Sequence, residues 1–187
     1  MKNASENPEL SASHWWGFAA MPEGMEYPSN GEDNPLTLIC QFHLGEGMVY
    51  VLADLDYFFG DIEAEGGHLG EWPKEFYKVL YSPTRENLHE HEIRYADGTS
   101  AVPEARPMND VPPAPNDEMS REQGSLNGVW RDEIEQEYPG YEVLLQVDED
   151  DEIGLRFYDC GTLFFLIKPE ELEAREFENT KCVLYSY

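Results

Sequence analysis

Two stretches of this chain carry the same strand-like segments in the same order. Leu38-Ile39-Cys40-Gln41 leads to Gly47-Met48-Val49-Tyr50-Val51-Leu52 and then to Val79-Leu80-Tyr81-Ser82; Val143-Leu144-Leu145-Gln146 leads to Gly161-Thr162-Leu163-Phe164-Phe165-Leu166 and then to Val183-Leu184-Tyr185-Ser186. From glutamine to the following valine the distance is 38 residues in the first copy and 37 in the second, while the middle glycine follows its glutamine by 6 and by 15. A repeat on this scale constrains topology before any other signal does. It predicts one domain over residues 1–187 made of two related halves, about 14–100 and 125–187, produced by internal duplication.

The matched segments are short, rich in Val, Leu, Ile, Tyr and Phe, and bounded by Gly, Pro or acidic residues, which is the pattern of strands. Two stretches read as short helices. Pro169 to Phe177 places a proline in the first turn with carboxylates after it, and Val129 to Glu137 precedes the Gln146 strand. Helices set between strands predict an α+β fold with β-rich halves and few helices. Five prolines (Pro103, Pro107, Pro112, Pro113, Pro115) mark residues 101–124 as a linking loop.

Charge narrows the function classes. Lys and Arg number 12 against 39 Asp and Glu, a formal charge of −27, which excludes a duplex nucleic-acid binder working by phosphate neutralisation. With 41% hydrophobic residues and 24 Trp, Tyr and Phe, the chain nevertheless has enough apolar surface for a core. From Asp132 to Glu152 there are 10 acidic residues and no basic one. The terminal run Asp148, Glu149, Asp150, Asp151, Glu152 reads as an exposed loop after the Gln146 strand and as the candidate partner-binding segment. No apolar run approaches the roughly 18 residues needed to cross a bilayer, and the N-terminus lacks a signal-like apolar stretch, so no membrane partner is expected and the cytoplasm is the expected compartment. Cys40, Cys160 and Cys182 are scattered among apolar neighbours and read as buried reduced thiols.

Few residues offer chemistry. His89 and His91 would share one face of a strand, a spacing able to hold a transition metal, but no further ligands accompany them and no metal or cofactor is expected. The acidic run lacks calcium-loop spacing. Asp54 and Asp56, at the end of a strand, could face a cleft as paired carboxylates, but strand-end acids at a loop are the commoner reading. Neither a nucleophile elbow nor a glycine-rich phosphate loop occurs. Gln41, Gln146, Asp159 and Gly161 read as structural positions of the repeat: a glutamine inside an apolar strand must have its amide bonded, and an aspartate ahead of a glycine suits a turn. Gly161 is expected to adopt positive φ, and Trp15-Trp16 to pack the N-terminal segment onto the sheet.

The segments Met21-Pro22-Glu23-Gly24, Tyr27-Pro28, Pro35-Leu36 leading to Gln41, Leu144-Leu145-Gln146-Val147-Asp148 and Tyr158-Asp159-Cys160-Gly161-Thr162-Leu163-Phe164-Phe165 resemble the YwqG-like bacterial family of unknown function. The resemblance spans nearly the whole chain from the Trp15-Trp16 pair, with Tyr158 standing where the family often has Trp. It implies two related α+β halves and a small cytoplasmic protein. Some members look like immunity proteins of bacterial toxin systems, which implies a basic toxin domain as partner.

Three functions follow as expectations. The favoured one is an acidic interaction module that attracts a basic protein by charge. The alternatives are a metal-dependent hydrolase drawing on Asp54, Asp56, Asp159 and the histidines, and a protein whose acidity serves solubility or salt tolerance.

Overall fold

The computed structural model describes residues 10–54, 69–108, 130–149, 157 and 161–186. It divides into two compact units, Met1–Asp54 with Lys74–Val111, and Leu55–Pro73 with Pro112–Tyr187.

In the first unit β1 (His14–Trp15), β2 (Ala19–Pro22), β3 (Thr37–Leu44), β4 (Gly47–Ala53), β6 (Tyr77–Ser82), β7 (Leu88–His91) and β8 (Arg106–Pro107) form a five-stranded sheet of order β6-β4-β3-β1-β8 and a separate β2-β7 pair. Every pairing is antiparallel. The β3-β4 hairpin closes through Gly45 and Glu46, with Leu44 opposite Gly47 and Gly45 at φ 62, a positive-φ two-residue turn that matches strand twist. Every residue of β4 is buried. Its unbroken apolar run therefore reflects burial on both faces, where one-sided burial would give alternation. On one face Met48, Tyr50 and Leu52 pack with Ala19, Met21, Leu36 and Leu38.

In the second unit β5 (Gly70–Glu71), β9 (Glu142–Asp148), β10 (Thr162–Ile167) and β11 (Lys181–Tyr185) form a four-stranded antiparallel sheet of order β5-β11-β10-β9. Two helices accompany it, α1 (Arg131–Glu137) and α2 (Pro169–Ala174). Ile134 is the buried residue of α1 and packs with Phe164, Leu166 and Val183, backed by Trp130, Tyr138, Tyr141 and Tyr185. Helix α2 starts on Pro169 and ends where Arg175 turns left-handed at φ 62, so it stops short of the expected Phe177.

The expectation of an α+β fold with an internal duplication is overturned. Strands dominate three sheets, while the α-helices among the described residues have seven and six residues and both lie in the second unit. Each unit contains a three-strand meander, β3-β4-β6 and β9-β10-β11, but the surroundings differ. The first sheet is extended by β1 and β8 beside β3; the second is extended by β5 beside β11, the opposite edge. Register differs as well. Gln41 lies opposite Tyr50 and that residue opposite Leu80, whereas Gln146 lies opposite Phe164 and that residue opposite Val183. Relative to the shared Val-Leu-Tyr-Ser string this is a one-residue slip, which exchanges the faces of every side chain in the strand. The recurrent string therefore reflects what two buried antiparallel meanders both demand: β-branched and aromatic residues bounded by glycine.

Candidate functional site

The base of the acidic segment is built by the β9-β10 hairpin. β9 is buried without a break from Leu144 to Val147, and that run includes Gln146, a polar residue whose amide Nε2 donates to both oxygens of Asp148, at 2.9 and 3.1 Å. Across the hairpin Thr162 faces Asp148 in register, and its hydroxyl donates to Asp148 Oδ1 at 2.9 Å. The next residue, Glu149, accepts the Phe157 amide at its Oε1, 2.9 Å away. Phe157 is fully buried, and its carbonyl accepts the Gly161 amide at 2.9 Å. Two carboxylates, two side-chain donors and one buried ring thus clamp the ends of the segment that joins the strands. Carboxylates that accept such bonds are held in one orientation.

Of the five acids read as a partner-binding run, Asp148 and Glu149 are therefore engaged with their own hairpin, while Asp150, Asp151 and Glu152 lie outside the described residues. Asp159, Asp56, Cys160 and His68 also lie outside them, as does residue 109–124 of the proline-rich stretch. Gly161 does not take the positive φ expected of it. Its side-chain space is what is limiting: a Cβ there would overlap the Phe157 carbonyl oxygen and lie 2.6 Å from the Phe157 Cβ. More acids flank the hairpin in sequence, where α1 exposes Asp132, Glu133, Glu135 and Glu137. Glu137 accepts the Tyr185 hydroxyl at 2.8 Å, and burial together with that bond pushes the Tyr185 phenol well above its usual range.

Gln41 sits elsewhere, in the first unit. Its Oε1 accepts the Ala20 amide at 2.9 Å, and its Nε2 donates to Leu10 O and Ala12 O at 3.1 and 3.0 Å. It joins β3 to β2 and to the segment before β1, whereas Gln146 bonds within its own strand; the two glutamines do different jobs. Asp54 is buried at the end of β4 and accepts Asn30 Nδ2 at 2.7 Å. Both Trp15 and Trp16 are buried, and Trp16 holds φ 57 while its amide bonds Ile39 O, the residue bulged out of the β3-β4 ladder. His89 and His91 lie on β7 opposite Met21 and Ala19. Cys40 and Cys182 are buried. Among the described residues no group of three or more His, Cys, Asp or Glu side chains converges as a metal site.

Sequence reasoning did not foresee the aromatic support beneath α1, in which Trp130 stacks on Tyr185 with centroids 5.1 Å apart and Tyr185 meets Phe164 edge-on at 5.9 Å. The available signal was one apolar residue, Ile134, in an otherwise polar helix flanked by Trp130 and Tyr138. So short an amphipathic stripe needs large rings around it to bury enough area.

The hairpin and both helices fall inside a region with relatives. Residues 107–185 match the model of a family described as a domain of unknown function, DUF1963. The match contains α1, the Gln146–Asp148–Thr162 clamp and α2. No curated protein matches the chain. No helix among the described residues is long and apolar enough to cross a membrane.

Proposed function

We propose that this chain is an acidic cytoplasmic interaction module that captures a basic protein partner, and that it belongs with the YwqG-like group whose residues it resembles. The most concrete form of the reading is an immunity protein that neutralises a basic toxin domain. What carries the proposal is a charge of −27 together with where the acidic run begins: its first two residues, Asp148 and Glu149, are held at the β9-β10 hairpin by Gln146, Thr162 and Phe157. A fixed base presents the same end of a charged segment in every encounter, and charge complementarity then raises association rate and selects against acidic competitors. The acids on α1 add to the same field.

The test separates encounter from anchoring. Asp148 and Glu149 stay, because they hold the hairpin; Asp150→Asn, Asp151→Asn and Glu152→Gln are combined. A cationic partner co-purified from the native cytoplasm is then bound to wild type and variant at low and high salt. Slower association with a flatter salt dependence, and dissociation changed by about twofold or less, supports the reading. Equal association rates at both ionic strengths would remove this run from the binding surface.

A further inference from the structure

The described residues include four histidines, and two of them are committed to the backbone. His14 Nδ1 lies 2.7 Å from Trp16 O, and His43 Nε2 meets Ser11 O. His89 and His91 are different. They stand two apart on β7, so strand alternation puts both rings on one face, the face shared by their register partners Met21 and Ala19. No hydrogen bond from the described residues reaches either imidazole, and the contact His91 makes is with the Tyr27 ring, centroids 5.2 Å apart at 33°. Tyr27 is itself fixed by donating to Leu36 O at 2.6 Å.

Nearby acids do not neutralise the pair. Glu90 alternates to the other face, opposite Ala20, and Glu92 is drawn to Arg94 at 2.6 Å. Two imidazoles on one strand face, neither reached by a hydrogen bond from the described residues and one braced against a fixed tyrosine, are placed to approach a single ion. Cα atoms two apart on a strand are separated by about 6.5–7 Å, a distance that two inward-leaning imidazoles span around one ion.

We propose that His89 and His91 form a bidentate site for a borderline divalent transition metal of the Zn2+, Ni2+ or Cu2+ class, with water completing the coordination. Imidazole nitrogen suits these ions, whereas Mg2+ and Ca2+ seek oxygen ligands. The surrounding charge of −27 raises the local concentration of any cation, and the nitrogen pair supplies the selectivity.

The experiment must set the pair apart from the carboxylates. Ni2+ is titrated calorimetrically into the full chain in buffer holding excess Mg2+ to occupy oxygen sites, using wild type, His89→Ala, His91→Ala, the double variant, and Asp150→Asn with Asp151→Asn as a control. One equivalent is expected, weakened about tenfold or more by either histidine change, because losing a ligand costs at least as much as losing the group that orients one. The control variant should bind as wild type does. His89 is exposed while His91 is half-buried beside Tyr27, so thermal melts check that each variant folds. In parallel, substoichiometric Cu2+ should broaden the His89 and His91 ring resonances ahead of those of His14 and His43. Wild-type affinity in the double variant, absence of binding with Ni2+ in excess, or broadening centred on the carboxylates of residues 148–152 overturns the proposal.

Discussion

Thr162 donates a 2.9 Å hydrogen bond to Asp148 across the mouth of the β9-β10 hairpin, between two residues that are also backbone register partners. The bond closes a carboxylate that already receives Gln146, so it decides whether the ends of the acidic segment stay together. Thr162→Val keeps shape and removes the donor. A loss of about 1 kcal/mol is expected, read as a Tm lower by about 2–4 °C, with Thr162→Ser near wild type. If Val and Ser variants melt alike, the hydroxyl contributes nothing and the clamp rests on Gln146 alone.

Gly161→Ala tests the same hairpin from its backbone. The added methyl meets the Phe157 carbonyl, which is also the acceptor of the Gly161 amide, so neither can move without breaking the other. Gly140→Ala is the comparison: it has φ 82 and open space, so its cost is backbone strain alone, about 1 kcal/mol. Gly161→Ala should cost clearly more, about 2 kcal/mol or above. The two denaturant midpoints settle the order, and an equal cost at both positions would show that the loop yields freely.

Gln41 ties three backbone groups from two other segments to β3. Gln41→Leu leaves those groups buried without their partner, and about 2–4 kcal/mol of stability should go with them. Gln41→Glu discriminates donor from acceptor. It retains the oxygen that receives Ala20 but turns a carboxylate toward Leu10 O and Ala12 O, so its deficit should shrink as the solution is acidified and the carboxyl regains a proton to donate. Stability measured by urea titration at two pH values reads this directly, and a deficit independent of pH would locate the damage in packing.

These residues also show what the sequence made legible. Strand positions and the buried glutamines follow from local pattern, because β-branched and aromatic runs closed by glycine specify a strand, and an amide within one demands partners. Which partners it finds is not local. Gln41 reaches residues 10 to 20, while Gln146 reaches two positions along its own strand, and nothing near either residue distinguishes the cases. The repeat misled for the same reason. Matching strings record a shared burial environment, but a bulge at Ile39 in one meander and at Leu144 in the other moves the register by single residues, and register is set by pairing. The acidic run was visible as charge, yet the inward turn of Asp148 depends on Thr162, fourteen positions away.

His14 gives the chain a pH dependence whose sign is fixed. Its ring is largely buried, and burial lowers its pKa below the ordinary 6.5, against the opposing pull of the hydrogen bonds to Trp16 and Trp15. Above pH 6.5 the ring is neutral whether the chain is folded or not, so the contribution of the buried ring is fully present. Below it the unfolded chain takes up a proton that the folded chain refuses, and stability falls until the folded ring also protonates. His91, lowered for the same first reason, pulls the same way. Relief of repulsion among the 39 acids acts oppositely on acidification, so the raw curve mixes both effects. The difference between proteins separates them. His14→Asn keeps a donor near Trp16 O but does not titrate, and charge relief is common to both chains. From about pH 7.5 to about pH 5.5 the wild type should lose stability relative to the variant, seen as converging thermal midpoints. Parallel curves across that window would mean that His14 protonates as easily folded as unfolded, and the buried ring would then have no part in the acid response.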